Sequence, residues 1–288
     1  IGRDWATGFT PTLDHFSSNL SQQIEHGGGH FDLLSYDDLL DTIVHNLSQG
    51  SGGVVLVGES GVGKTALING LAERLLADRE VGDLRYYQVV SPSAALIVAN
   101  ARNNLESLLI TIFGEAVSAG NIVLFLDNAE LFFNTGVGSF DISRILTGVL
   151  QSRRVKIILA LTPRDYQRLK STNATLASNL PVVMMAEPSA DNTLKIVEDS
   201  ALLLEHRTKT IVTSQAVREA YRLSGLYMQD QAYPGRAIKL LEQAAPFAEL
   251  EWAQRCERVR HWHPFGNGFH PIRQNIHREI DPTEELSR

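Results

Sequence analysis

The stretch GVVLVGESGVGKT, residues 53–65, decides the fold. Its first part is a short apolar run rich in β-branched residues and opened by glycines, the pattern of a buried strand. Its second part, Gly58–Thr65, fits G-x-x-x-x-G-K-[ST], and the TALINGLAERLLAD that follows reads as a helix. That order of strand, glycine loop and helix is what a phosphate needs. The loop turns its amide hydrogens inward, and the helix N-terminus faces the negative charge. Gly58, Gly61 and Gly63 permit close backbone approach, while Glu59, Ser60 and Val62 contribute through their main chain. Lys64 is positioned to reach the β- and γ-phosphates, and the Thr65 hydroxyl to ligate magnesium. The expected ligand is ATP or ADP with Mg²⁺.

Moving outward, strands and helices alternate. LRYYQVV reads as a strand, NNLESLLITIFGEAVSAG as a helix, IVLFLD as a strand, DISRILTGVLQS as a helix and VKIILALT as a strand. LPVVMMAEPS supplies one more strand, broken at Pro188. Such alternation implies an α/β fold, a parallel sheet covered by helices. Beyond Pro188 the pattern is helical: DNTLKIVEDSALLLEHRT, TSQAVREAYRLSG and GRAIKLLEQAAPFAELEWAQRCERV. Upstream, SYDDLLDTIVHNLS puts Leu39, Leu40, Ile43, Val44 and Leu47 on one helical face, with Ser35 as N-cap. The expected organisation is an extended lead-in with a short helical patch over 1–30, a nucleotide-binding α/β part over 31–187, a helical lid over 188–258 and an irregular tail over 259–288. A start at IGRDW without a methionine reads as a piece of something longer.

Composition narrows the function classes. With 288 residues, 43% hydrophobic and 20% charged, the chain is expected to be an ordinary globular protein. Its formal net charge of -7 argues against a general nucleic-acid binder. The single cysteine, Cys256, excludes a disulfide framework. No apolar run reaches the about 18 residues that span a bilayer, and no signal-peptide core opens the chain, so the expected compartment is cytoplasmic. The aromatics, arginines and His261, His263, His270 and His277 of the last stretch read as a tail. A metal or nucleic-acid role is the alternative, although their spacing matches no standard ligand set.

The strand NIVLFLD, residues 121–127, ends on Asp127. At the carboxyl end of a neighbouring strand this carboxylate would lie beside Thr65 and hold a magnesium-bound water. The acid expected next, to activate the attacking water, is replaced by Asn128. The nearest carboxylate is Glu130.

Together these residues resemble the first AAA+ module of the Clp-type unfoldases and disaggregases, over roughly 11–246. The matching stretches are TPTLDHFSSNLS, VLVGESGVGKTALINGLAERL, NIVLFLDNAEL, ILALTPRDYQRL, VVMMAEPSADNTLKIV and YPGRAIKLLEQAA. The resemblance implies a large α/β subdomain, a helical lid, ATP between them and assembly as a homo-oligomer or ring acting on a protein client. It makes Gly58–Thr65 the Walker A loop and Asp127 the Walker B acid. Thr162 falls at the sensor-1 position, with a plain turn before Pro163 as the alternative. Arg236 falls in the sensor-2 region, with a solvated helix-start residue as the alternative. Phe31 to Leu34 match the segment that packs on adenine.

Three family features are missing. Asn128 can orient a water but cannot accept its proton. Ala177, Ser178 and Asn179 stand where the family carries an arginine pair that serves the neighbouring subunit. IVANARNNLES stands where an aromatic pore loop grips substrate. The expectation is a module that binds nucleotide and hydrolyses it weakly or not at all. One alternative is an active unfoldase ATPase rescued by Glu130, or by Arg164 or Arg168 reaching a neighbour's site. The other is a nucleic-acid-associated switch.

Overall fold

The computed structural model describes residues 9–26, 36–49, 52–77, 81–100, 105–133, 142–208 and 210–260. The described residues divide into two compact units: those within 9–59 together with 63–186, and those of 60–62 together with 187–260.

The first unit is built on a six-stranded sheet. Its strands are β1 (Ser17–Asn19), β2 (Gly53–Val57), β3 (Gln88–Pro92), β4 (Ile122–Leu126), β5 (Lys156–Leu161) and β6 (Val182–Met184), in the order β1-β3-β4-β5-β2-β6. All neighbours run parallel except β1, which lies antiparallel to β3. Every residue of β2, β4 and β5 is buried, which explains why these strands read as unbroken apolar runs. Register pairs Val57 with Leu161 and Leu126 with Leu159. Gly58 and Thr162 therefore leave the sheet side by side, and Asp127 leaves it level with Ala160, all at the carboxyl edge where open α/β sheets hold ligands. A core of Val55, Val57, Leu124, Leu126, Ile157 and Leu159 with Ile112, Phe113 and Leu146 of the covering helices fixes that edge. Each such side chain contributes about 1.5–3 kcal/mol by leaving water.

The expected α/β class holds, and three local readings need correction. The lead-in, expected as extended with a short helical patch, holds two short helices and a strand: Pro11–Phe16, then β1, then Leu20–Glu25. The Glu115 carboxylate accepts the Thr12 and Leu13 N–H groups at 2.9 and 2.8 Å, and Ser21 Oγ accepts the Val89 N–H at 3.0 Å. These partners are distant in sequence, and a three-residue strand carries no period. The strand expected over LRYYQVV begins only at Gln88; Gly82–Leu84 is a 3₁₀ turn and Tyr86 has φ +71°. The helix expected after Ser35 spans Asp37–Ser48 with Tyr36 as its cap residue. Ser35 lies outside the described residues. Leu40, Ile43, Val44 and Leu47 are its buried face, with Leu39 at the margin.

The second unit holds three helices, Ala190–Thr208, Ser214–Tyr227 and Gly235–Arg260. They close on Val197, Ala201, Leu204, Val217, Ala220 and Leu241. Thr213 Oγ1 accepts the Ala216 N–H at 3.1 Å and so starts the middle helix. Among the described residues no helix is long and apolar enough to cross a membrane.

Candidate functional site

The loop after β2 begins with the Gly58 N–H donating to Leu161 O at 3.1 Å. Gly61 and Gly63 have φ of +86° and +104°, a region that side-chain-bearing residues avoid. Gly63 is the cap residue of the helix Lys64–Leu76. A Cβ there would meet only Met185 Cε at 3.5 Å, so conformation and not crowding demands glycine. Ser60–Val62 group with the helical unit. Within that unit Ala232 N–H donates to Ser60 O at 2.7 Å and Gly235 N–H to Gly61 O at 2.9 Å. A Cβ on Gly61 would come 2.9 Å from Ala232 O, and one on Gly235 2.6 Å from Gly61 Cα. Both glycines are needed for that backbone contact.

Lys64 Nζ donates to Gly58 O at 2.8 Å and Glu59 O at 3.0 Å. Burial pushes its pKa down, while the carboxylates of Asp127, Glu130, Glu59 and Asp165 pull it back up. The ammonium thus sits in an acidic surround. Thr65 Oγ1 donates to Asp127 Oδ2 at 2.9 Å, and Asp127 Oδ1 accepts the Asn128 N–H at 3.1 Å. A hydroxyl beside a single carboxylate is the donor set magnesium takes when phosphates and water complete its shell. No cluster of three or more His, Cys, Asp or Glu side chains among the described residues could hold a metal ion.

Beyond Asp127 the chain turns sharply. Asn128 is exposed with φ +51°, the Ala129 N–H donates to Ala160 O at 3.0 Å, and the Leu131 N–H to Asn128 O at 3.0 Å. Asn is one of the few residues that tolerate this backbone. Glu130 opens the short helix Glu130–Phe133 and is partly buried. Burial pushes its carboxyl pKa up, and Asp165 and Asp127 add to this against its own backbone N–H and Lys64.

Thr162 caps the helix Pro163–Thr172. Its hydroxyl donates to Asp165 Oδ2 at 2.5 Å and accepts the Asp165 N–H at 3.2 Å. A threonine has one hydroxyl proton, so in this conformation Thr162 has none left for a phosphate. Asp165 was not singled out in the sequence. Its signal was available as the T-x-x-D spacing of a reciprocal cap.

The remaining positions divide. Ala177 is 5% exposed and packs into the core, whereas Ser178 and Asn179 end the helix Ala174–Asn179 in solvent. Arg164 and Arg168 are exposed. IVANARNNLES begins in the helix Ala94–Asn100 and re-enters helix at Leu105; residues 101–104, Phe31 to Leu34 and the terminal histidines lie outside the described residues. In the helical unit, Arg236 lies over the Tyr233 ring, 3.6 Å from its centroid, with Nη2 3.7 Å from Glu187 Oε1.

Comparison with known proteins agrees with this geometry. The model of the ATPase family associated with various cellular activities (AAA) matches residues 54–186, and that of the AAA lid domain matches residues 189–264. The chain is 30% identical over 250 residues to the ATP-dependent Clp protease ATP-binding subunit ClpA homolog of Guillardia theta, covering 84% of this chain and 30% of that protein. It is 30% identical over 224 residues to the chaperone protein ClpB of Helicobacter hepaticus, covering 76% and 26%. The chain thus spans about a third or less of these relatives. Among solved structures, the Hsp104–ADP complex of S. cerevisiae superposes with a TM-score of 0.77 at 22% identity, covering 86% of this chain and 36% of that one. The extended Hsp104–casein complex superposes at 0.71 and 23%, covering 84% and 42%.

Proposed function

The chain belongs to the AAA ATPases as a Clp-type module with its lid, and on that premise we propose that it binds ATP with magnesium and hydrolyses it slowly or not at all. The single observation behind this reading is the contrast around Asp127. On one side stand a complete phosphate loop and a Thr65–Asp127 pair 2.9 Å apart. On the other, Asn128 occupies the position of the expected base, in a left-handed turn. Magnesium bound at Thr65 and, through water, at Asp127 would offset the charge of the phosphates. Lys64 would leave its carbonyl partners for the β- and γ-phosphates, and Gly58–Gly63 would offer their amides. Asn128 would hold a water without deprotonating it.

Two further losses support the same reading. Ala177 is buried where an arginine would have to project, and such an arginine is worth on the order of 10³–10⁵ in rate in analogous systems. Thr162 already donates its one hydroxyl proton to Asp165. In this account nucleotide is a conformational or assembly ligand, stabilising the folded or oligomeric form by mass action. The chaperone and protease-subunit names of the relatives, and a homologous fold seen with casein, support a ring with a protein client and a cytoplasmic setting. The test is titration calorimetry of ATP against the chain with magnesium and again with EDTA. Saturable binding weakened by EDTA is expected; no binding overturns the proposal.

One observation favours a second reading, an active unfoldase ATPase. Glu130 is partly buried, feels Lys64 and Asp127 electrostatically, and has the raised pKa that suits a general base. In that case Glu130→Gln abolishes phosphate release and leaves ATP binding intact. Unchanged turnover in that variant removes Glu130 from the chemistry.

A further inference from the structure

The amino edge of the sheet, opposite the phosphate loop, gathers cations that the nucleotide site does not use. Register sets Gln88 beside Ile122 and Val123 beside Lys156, so the turns that enter β3, β4 and β5 lie next to one another. The turn into β5 carries Arg153 and Arg154 ahead of Lys156, and the turn into β3 carries Arg85 and Tyr86. Contacts join the two turns. Arg154 packs on Gly120, where a Cβ would lie 3.7 Å from its Nε. The next residue, Asn121, donates from Nδ2 to Tyr86 O at 3.3 Å, and the Arg85 guanidinium lies over the Tyr86 ring, 5.0 Å from its centroid. Arg153, Arg154 and Tyr86 are exposed, whereas Lys156 is 9% exposed. Burial pushes the Lys156 ammonium pKa down; Asp83 pulls it up and Arg153 pushes it down further. Among the described residues, Arg153, Arg154 and Lys156 make no ion pair.

The backbone of these turns is strained. Tyr86 has φ +71° and Arg153 φ +55°. Arg153 is the C-cap of the helix Ser143–Ser152, where a left-handed residue is ordinarily glycine. Two large side chains are thus kept where glycine would fit with less strain, and strain of this kind collects at binding sites. We propose that this edge binds an acidic, Asp- and Glu-rich segment of a partner protein, with the Arg153 and Arg154 guanidiniums on its carboxylates and Tyr86 against its aliphatic stems. Planar guanidiniums match carboxylates fork to fork. A nucleic-acid strand fits less well, because it would run on beyond the patch over a chain of net charge -7. Such strands also stack on open aromatic faces, and Arg85 already lies over Tyr86. The inference is independent of the nucleotide-binding reading above.

The experiment is fluorescence anisotropy with a short labelled oligoglutamate peptide, an oligoglutamine peptide and an oligothymidine strand of equal length. The unmodified chain, Arg154→Glu and Arg153→Gly are compared, each with a thermal unfolding curve. Oligoglutamate should bind the unmodified chain, and added salt should weaken it. Arg154→Glu should weaken that binding by about five- to tenfold, and Arg153→Gly by about two- to fivefold. Arg153→Gly should also unfold at a higher temperature, because glycine relieves the left-handed strain; a loss of binding with a gain in stability separates a binding role from a folding one. The proposal is overturned if oligoglutamate does not bind, if oligoglutamine binds equally, if oligothymidine binds more tightly, or if Arg154→Glu binds oligoglutamate unchanged. An Arg153→Gly variant that loses stability together with binding overturns it as well.

Discussion

Residues 58–65 after β2 and residues 127–130 after β4 flank the same strand, β5, and each depends on a left-handed backbone. In the first the left-handed residues are Gly61 and Gly63, and the turn leaves Lys64 and Thr65 facing Asp127. In the second it is Asn128, and the turn is closed by Ala129 to Ala160 and Leu131 to Asn128. Both turns are locally consistent, each with a residue suited to its φ. What differs is the chemistry left over: the first presents a cation, a hydroxyl and main-chain groups, and the second the Asp127 and Glu130 carboxylates with the Asn128 amide between them. Asn128 is therefore part of how its turn is built, whatever its role in the chemistry.

Changing the first turn should have the larger effect. On the proposed reading Lys64→Ala removes the cation that would meet the phosphates and should weaken ATP binding by about 10²-fold, read by calorimetry. A variant that binds as well as the unmodified chain would show that the loop is not the nucleotide site. The second turn offers a sharper test. Asn128→Glu restores a carboxylate, and a well-placed base is worth about 10²–10⁴ in rate. With φ at +51° and no arginine on the helix Ala174–Asn179, the expected gain in phosphate release is under about tenfold. A gain of a hundredfold would show the site to be otherwise assembled. The same variant should lose about 1 kcal/mol in urea unfolding, because glutamate tolerates that backbone worse than asparagine.

The smallest effect belongs to Glu130. Its folded pKa is raised by burial, so the native chain binds that proton more tightly than the unfolded chain does. Stability from this group therefore falls as pH rises from the ordinary glutamate range through the raised value. Without nucleotide or magnesium, Glu130→Gln should be more stable at pH 7 by about a few tenths of a kcal/mol, discounted for partial exposure. The advantage should fade below about pH 4.5, where both states of the unmodified chain are protonated. A destabilised variant at pH 7 would mean that the carboxylate makes a compensating contact.

What could be read without coordinates follows the same division. β2, β4 and β5 were legible because full burial writes an uninterrupted apolar run, and the phosphate loop because its geometry requires glycines at fixed spacing. β1 was not legible: three residues carry no alternation, and its partners Val90–Pro92 lie far along the chain. Asp127 could be anticipated from its place after a strand. The φ of Asn128 could not, although asparagine is itself a hint of that conformation. The capture of Thr162 by Asp165 and of Arg236 by Glu187 depends on helix-start geometry. Family position alone suggests roles for Thr162 and Arg236; the hydrogen bonds of the first and the ion pair and ring contact of the second are what the fold adds.

The central claim is that binding survives where turnover does not, and one preparation can test it. Bound ATP and released phosphate are to be measured together, at saturating nucleotide with magnesium. The account predicts near-complete occupancy with turnover well below about one per second, the lower end of ordinary enzymes. Full occupancy with turnover near or above that rate would contradict it.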